Sequence, residues 1–297
     1  QHFYFSLQFS KPYQTIELDS SGKKAAFTFD VEDDEAILVK VGISAVSMQG
    51  ARSNLNSEIK GFDVEQLKTS SEAMWLQALS KIEVETSDVD QKTIFYTSLY
   101  HTMIAPNLFS DVDAKYRGMD LKVHESDYDV YTVFSLWDTF RAAHPLYTII
   151  EQDKTKDFLN TFMKQYDDGG ILPIWELSAN YTGCMIGYHG VSVLADAHVK
   201  GIAGMDWKKA LEAMKHSANQ SHLGLEAYRN KGFMEVQDEP ESVSKVLEYA
   251  YDDWTIAQLA KQLGDTATYA DFIERGQYYK NMFNPEVGFM QSKANGG

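Results

Sequence analysis

The chain has 297 residues, a formal net charge of −16, 44% hydrophobic residues and 24% charged residues. This composition is typical of a globular protein with a sizeable core, and the length suggests about two domains. Nucleic-acid binding is disfavoured, because no cluster of Lys and Arg occurs and an acidic chain repels polyanions. No apolar run approaches the ~20 residues that span a bilayer, and a single cysteine, Cys184, excludes an intrachain disulfide.

Residues 1–61 are predicted to be β-structure. Phe3, Phe5, Leu7 and Phe9 alternate with polar residues, which is the period-two pattern of a strand with one buried face. Further strands are predicted at 25–30 and 36–44, and a turn is predicted at 20–22. Short, closely spaced strands suggest an antiparallel sandwich, but roughly three or four of them are too few to close one.

From Phe62 onward the apolar spacing becomes helical. Within residues 62–84, a helix at 63–80 is predicted to join two domains. A small hairpin is predicted at 111–124. Roughly seven or eight helices joined by loops indicate helical hairpins in a toroid or a superhelix. The later predicted helices are 88–106, 136–144, 154–166, 187–200, 207–218, 241–263 and 265–283.

The densest polar and aromatic group runs from Phe134 to Arg141 and is followed by His144. On one helix, Trp137, Arg141 and His144 would share a face, and Asp138 could pair with Arg141 at i, i+3. A carboxylate held by Arg beside an indole suits a monosaccharide, which stacks on the ring and donates its hydroxyl protons. The alternative is a Trp that packs the helix beside a structural ion pair.

A second group lies in a rigid loop of glycines and a proline, the kind of loop that often carries sites. It places Trp175 as a stacking plane beside the acid Glu176 and leads to His189. The flanking Gly187 and Gly190 would let a ligand approach the backbone, although a lone histidine is more often buried and satisfied.

A third group follows Glu241 on the predicted 241–263 helix. Leu247, Tyr251 and Trp254 share helical spacing and are predicted to face the core in part. Asp252 and Asp253 would then be solvated.

Several segments, matching in order over most of residues 90–260, closely resemble the calcium-dependent exo-α-mannosidases of glycoside hydrolase family 92. Each is modestly specific alone, and the ordered set is much more so. The segments are Ser98-Leu-Tyr-His-Thr-Met103 with Pro106-Asn107, Ser135-Leu-Trp-Asp-Thr-Phe-Arg141, Gly170-Ile-Leu-Pro173 with Trp175-Glu176, Met185-Ile-Gly-Tyr-His189, and Glu241-Ser-Val-Ser-Lys245 through Trp254.

The resemblance implies an α+β multidomain fold in which an N-terminal β-sandwich packs on an (α/α)6 barrel. Residues 1–61 would be the C-terminal part of the sandwich, 62–84 a linker helix and 85–297 roughly the first half of the barrel. The chain is therefore expected to be a fragment. The family's catalytic acid and base lie in motifs that this sequence does not contain, so no catalytic residue and no metal ligand is assigned.

The implied activity is inverting hydrolysis of terminal mannose from glycans, of the α-1,2 type, in which an acid protonates the leaving oxygen and a base activates water. Ca²⁺ is implied as cofactor, with most of its ligands outside this chain, and a periplasmic or secreted location is implied too. Asp138 is expected to bind sugar hydroxyls. The residues expected to line or support the pocket are Trp137, Arg141, Trp175, Glu176 and His189.

Two alternatives stay open. Another (α/α)6 glycosidase would use Asp138 and Glu176 as its pair of acids, with Glu176 as the candidate catalytic acid. A non-catalytic carbohydrate-binding scaffold would have Trp137 and Trp175 packed in its core.

Overall fold

A computed structural model describes residues 2–295, so Gln1, the first residue of the predicted N-terminal strand, and residues 296–297 lie outside the described part. Strands dominate its first part and helices the remainder. β1 pairs antiparallel with β4, and β2 with β3 across the predicted turn at 20–22. The strands are β1 (Tyr4–Phe9), β2 (Thr15–Leu18), β3 (Ala25–Thr28) and β4 (Val39–Ser44).

The apolar face of the β1–β4 ribbon is the exposed one, contrary to the prediction. Phe5 and Ile43 are 64% and 61% exposed, whereas the side of β4 that carries Gly42 is buried. Helix α1 (Met48–Glu58) covers that side. A Cβ at Gly42 would lie 2.2 Å from the Ala51 carbonyl oxygen, so the close approach of the helix requires glycine there.

Helix α1 also corrects the prediction that residues 1–61 are β throughout. Ser47 caps its first turn by accepting a hydrogen bond from the Gly50 N–H. Its buried face carries one large apolar side chain, Leu55, so the helical pattern is weak in the sequence. Asp111 accepts hydrogen bonds from Ser44 and Asn54 at 2.6 and 2.8 Å and ties the later hairpin to α1 and β4.

The predicted helices at 63–80 and 207–218 are confirmed to within one residue at each end, with Asp63 and Asp206 as N-caps. The helix predicted at 88–106 is shorter and stops before Pro106. The helices after α1 are α2 (Val64–Leu79), α3 (Val89–Thr102), α4 (Leu136–Thr139), α5 (Ala143–Ile150), α6 (Gln152–Gly169), α7 (Gly190–Val199), α8 (Trp207–Ala218), α9 (Leu225–Lys231), α10 (Ser242–Leu263), α11 (Thr266–Arg275) and a 3₁₀ turn (Tyr278–Met282).

The single helix predicted at 136–144 is wrong, because α4 and α5 are separate. Residues 140–142 form a turn between the two helices, so the break falls before Pro145. Pro145 lies in the first turn of α5, where its missing N–H costs no hydrogen bond. Trp137 and His144 do not share a face, since His144 is 2% exposed inside the core, where burial lowers its pKa to about 3.

Short antiparallel strand pairs hold the connecting loops. The β6–β7 pair confirms the hairpin predicted at 111–124. The pairs are β5 (Asn107–Leu108) with β8 (Tyr131–Thr132), β6 (Lys115–Arg117) with β7 (Val123–Glu125), β9 (Phe134–Ser135) with β10 (Trp175–Glu176), and β11 (Phe283–Asn284) with β12 (Phe289–Met290).

The main core lies among α6, α7, α8 and α10, where Phe162, Leu194, Met214 and Ile256 are completely buried. Helix α2, by contrast, buries none of its residues. Among residues 2–295, no helix combines the length and apolar character needed to cross a membrane.

Candidate functional site

The β9–β10 pair separates the second candidate group into two sides. Trp175 lies opposite Ser135, and Glu176 lies opposite Phe134. Because side chains alternate across a strand, Trp175 and Ser135 lie on one face and Glu176 and Phe134 on the other. The Ser135 hydroxyl donates a short hydrogen bond to Asp138, which places Asp138 on the Trp175 side.

Arg141 does not pair with Asp138, as the sequence had suggested. Its guanidinium lies 4.7 Å from the Phe140 ring centre and 5.7 Å from that of Trp137, and it donates to Glu248 at 2.8 Å. Asp138 is exposed. The Trp137 indole N–H is buried and has no acceptor among residues 2–295. This surface, which we call the α4 surface, thus combines a carboxylate, a guanidinium and an indole.

Glu248 connects the α4 surface to buried groups. One of its oxygens accepts from Arg141, and the other lies 3.4 Å from His189 Nε2. His189 Nδ1 lies 2.8 Å from Asp252, and Phe140 stacks on the imidazole with ring centres 3.9 Å apart. His189 is 1% exposed, which confirms a buried histidine, but its Nε2 has no hydrogen-bond partner among residues 2–295. The exposed guanidinium is therefore hydrogen-bonded to Glu248, which lies beside a buried imidazole–carboxylate pair.

Asp252 and Asp253 are buried, so the prediction that they are solvated is wrong. Both are 0% exposed, whereas Tyr251 and Trp254, expected partly in the core, are 41% and 43% exposed. The correct phase could have been found, because both carboxylates fall at helical spacing from apolar residues on the buried face of α10. Those residues are Val246, Tyr249, Ile256 and Ala260.

Asp253 belongs to a second polar cluster, deep in the core. Arg275 Nε and Nη2 donate to it at 2.9 and 3.0 Å, and the hydroxyls of Tyr188 and Tyr228 donate at 2.7 and 3.0 Å. Burial raises the pKa of Asp253 to about 6, against the opposing effect of the guanidinium. Arg275 is 4% exposed, so this cluster joins α10 to α11 and does not reach the α4 surface.

Glu176 is buried under the loop that follows β10. It is 1% exposed and accepts hydrogen bonds from the Thr132 hydroxyl at 2.9 Å and the Ala179 N–H at 2.7 Å. Burial raises its pKa to about 7, although both hydrogen bonds lower it. Glu176 thus faces away from Trp175 and Asp138, and its contacts hold the turn after β10.

Three potential metal ligands, Asp120, His124 and Asp168, converge between the β6–β7 hairpin and the end of α6. Their ligand atoms lie within 4.8 Å of one another. Ca²⁺ takes about six to eight oxygen ligands, so one imidazole nitrogen with two carboxylates does not fit the calcium that the resemblance implies.

The class of protein follows from comparison with known families. A model described as "Glycosyl hydrolase family 92 catalytic domain" matches residues 50–297, which defines a glycosidase domain. The chain belongs to glycosyl hydrolase family 92, and the resemblance seen in the sequence is confirmed.

Solved relatives extend this match to the fold. A family 92 α-mannosidase from Bacteroides thetaiotaomicron, also solved with mannoimidazole, is 41% identical with a TM-score of 0.87. A family 92 inverting mannosidase from the same organism is 32% identical with a TM-score of 0.89. Each match covers 98% of this chain but only 42% and 43% of the relatives. The chain therefore has the fold of part of a family 92 protein.

A curated relative, an uncharacterized secreted glycosidase of Arthroderma benhamiae, is 25% identical over 283 residues. The match covers 88% of this chain and 32% of that protein. The chain thus spans about a third of the length of this relative.

Proposed function

We propose that the chain forms the mannose-holding part of an inverting exo-α-mannosidase, of the α-1,2 type, that acts on the terminal mannose of glycans. The support is family membership together with mannosidases as structural neighbours, one of them described as inverting. A periplasmic or secreted location belongs to the same proposal, in keeping with the secreted relative.

The α4 surface is the observation that carries this proposal. Asp138 is exposed and held by Ser135, so it can accept hydrogen bonds from sugar hydroxyls. Trp137, half-buried, supplies a ring face, while its indole N–H lies buried beneath the surface. Arg141 supplies donors beside that ring. An acceptor, donors and an apolar plane are what a pyranose requires.

The groups beneath the surface position it. Glu248 orients Arg141 and is in turn next to His189, which Asp252 and Phe140 hold. His189 is buried behind Glu248 and does not contact a sugar itself. We propose Trp175, half-buried on the Asp138 side of β9–β10, as a wall of the same subsite.

Inverting hydrolysis needs two carboxyl groups about 6.5–9.5 Å apart across a water-filled cleft. Glu176 and Asp138 lie on opposite faces of β9–β10, and Glu176 is fully hydrogen-bonded inside the protein. This arrangement does not favour the alternative glycosidase that would use this pair. We propose that the acid and base come from regions that the solved relatives have beyond the matched part.

The proposed architecture follows the same family. Residues 1–61 would be the C-terminal part of a β-sandwich, 62–84 a linker helix and 85–297 part of an (α/α)6 barrel. The exposed apolar face of β1–β4, with Phe5, Val41 and Ile43, suits packing against a second sheet. Calcium dependence is proposed from the family alone, and no step is assigned to the ion.

Binding of methyl α-mannoside to the 297-residue chain tests the sugar site. Saturation-transfer NMR should detect weak binding, and Asp138→Asn should weaken it at least about tenfold, because the amide loses charge-assisted hydrogen bonds. Asp196→Asn is the matched control. Asp196 lies on α7, is partly exposed and forms an ion pair with Lys200 outside the α4 surface. Equal binding by both variants, or no binding by the unaltered chain, would contradict the proposal.

Hydrolysis of 4-nitrophenyl α-mannoside separates the two glycosidase hypotheses. We expect no turnover by this chain. Turnover that disappears in Glu176→Gln would instead establish the alternative in which Glu176 is the catalytic acid.

A further inference from the structure

We propose that Asp120, His124 and Asp168 form a binding site for a divalent transition metal of the Zn²⁺ type. Asp120 follows β6 in the hairpin, His124 lies on β7, and Asp168 lies in the last turn of α6. The site would bind the hairpin to the helix, away from the residues that we propose for the sugar.

The distances suit a small ion. His124 Nε2 lies 2.9 Å from Asp120 Oδ1 and 3.9 Å from Asp168 Oδ2. In a tetrahedral zinc site with metal–ligand distances of about 2.0–2.1 Å, ligand atoms lie roughly 3.3 Å apart. These two distances bracket this spacing, and the Asp120 and Asp168 oxygens lie within 4.8 Å of each other.

Gly118 lets the three side chains converge. A Cβ at this position would lie 2.5 Å from Asp168 Oδ2, 2.8 Å from His124 Cδ2 and 2.9 Å from Asp120 Oδ1. All three groups thus meet above the same α-carbon, where any side chain would displace them.

Unsatisfied polar atoms point to a missing ligand. Asp168 Oδ2 is buried and has no hydrogen-bond partner among residues 2–295, and the same is true of the Tyr116 hydroxyl. Tyr116 is 3% exposed and stacks on the His124 ring with centres 5.6 Å apart. Leaving a buried carboxylate oxygen unpaired is costly. A cation would satisfy Asp168, which lines the same cavity as Tyr116.

The donor set selects the class of metal. One imidazole nitrogen and two carboxylates with a water make the open four-coordinate set typical of zinc and related ions, whereas calcium requires more oxygens. Without metal, Nε2–H of His124 can donate to Asp120. With metal, Nε2 would bind the ion. Lys122 Nζ lies 3.3 Å from Asp120 Oδ2, and the Lys122 backbone N–H donates to Oδ1 at 3.0 Å. An ion would take the place that His124 Nε2–H now has at Oδ1.

Calorimetric titration of the 297-residue chain with ZnCl₂ at pH 7 tests the site, with CaCl₂ as a second titrant. We expect one Zn²⁺ per chain and no displacement of Zn²⁺ by equal Ca²⁺. Asp168→Asn should weaken Zn²⁺ binding at least about tenfold, while Asp167→Asn should not change it. The control is matched in sequence, because the neighbouring Asp167 pairs with Lys209 on the surface.

A second variant, followed by spectroscopy, distinguishes loss of metal binding from loss of the fold. Co²⁺ in the chain should give the visible absorption of a four-coordinate nitrogen–oxygen site, and His124→Gln should remove it while the far-ultraviolet circular dichroism stays unchanged. Absence of Zn²⁺ binding, equal affinity in Asp168→Asn, or displacement of Zn²⁺ by equal Ca²⁺ would each overturn the proposal. None of these results depends on mannoside binding.

Discussion

Two neighbouring carboxylates on α10, both 0% exposed, serve different parts of the molecule. Asp253 is enclosed with Arg275 and two tyrosine hydroxyls. Asp252 holds His189, from which contacts lead through Glu248 to the exposed Arg141. The two carboxylates differ in their partners. Asp253 pairs with the buried guanidinium of Arg275, whereas Asp252 contacts the imidazole of His189, which lies behind the α4 surface.

The sharpest test of this contrast is Asp253→Asn. It leaves the buried Arg275 without its counter-charge, and breaking a buried ion pair from one side costs about 3–5 kcal/mol. We expect a loss of that size in the free energy of unfolding, measured by urea titration at pH 7. Asp271→Asn is the control, because Asp271 is 62% exposed and 3.9 Å from the same Arg275. A loss below about 1 kcal/mol would mean that Arg275 is satisfied by its other acceptors.

Glu176 is a third buried carboxyl group, and its hydrogen bonds come from neutral donors, the Thr132 hydroxyl and the Ala179 N–H. Its folded pKa of about 7 lies above the unfolded value of 4.5, so the folded state binds more protons between these values. Its contribution to stability is complete below pH 4.5 and is lost as the pH rises through 7. The shift corresponds to a loss of up to about 3 kcal/mol.

Glu176→Gln removes this pH dependence, since the amide keeps an acceptor for Thr132 and Ala179 but does not ionise. Relative to the unaltered chain, the variant should gain stability by up to about 3 kcal/mol between pH 4.5 and pH 8. Urea titrations across that range measure the difference. A constant difference would show that Glu176 ionises in the folded protein much as it does in the unfolded chain.

Asp252→Asn should cost less than the Asp253 variant, about 1–3 kcal/mol. Asparagine can still accept the Tyr188 N–H, which Asp252 does at 2.8 Å, and its amide can donate to His189 in the other tautomer. Unfolding in urea under the same conditions gives the ratio of the two losses. Equal losses would remove the distinction between the enclosed and the surface-linked carboxylate.

Much of the helical part could be predicted from the sequence, because α8 and α10 have regular apolar spacing and α8 has an aspartate N-cap. The buried faces of β4 and α1 could not. They pack through Gly42, Gly50 and Ala51, and small residues allow a close approach without leaving a hydrophobic pattern.

The candidate site was only partly visible for a similar reason. Trp137, Asp138 and Arg141 stand together in the sequence, but the residue that binds Arg141, Glu248, is 107 positions away. The apolar spacing of α10 indicates that Asp252 and Asp253 are buried, but it does not reveal their distant partners His189 and Arg275. The segment 136–144 contains neither Gly nor Pro, so nothing local marks the turn at 140–142 that separates α4 from α5.

The smallest expected effect on stability concerns Arg141, at the exposed end of the Asp252 chain of contacts. Its side chain is 52% exposed, so the ion pair with Glu248 is screened by solvent and is worth at most about 1 kcal/mol. Arg141→Ala should therefore lower stability no more than Lys209→Ala, which removes another half-exposed ion pair.

A double-mutant cycle that combines Arg141→Ala with Glu248→Gln isolates the coupling energy between these two side chains. A coupling well above about 1 kcal/mol would show that His189 and Asp252 transmit the rigidity of the core to this guanidinium. Coupling within the surface range, combined with weaker mannoside binding in Arg141→Ala, would show that the pair orients a donor for the sugar and does little for the fold.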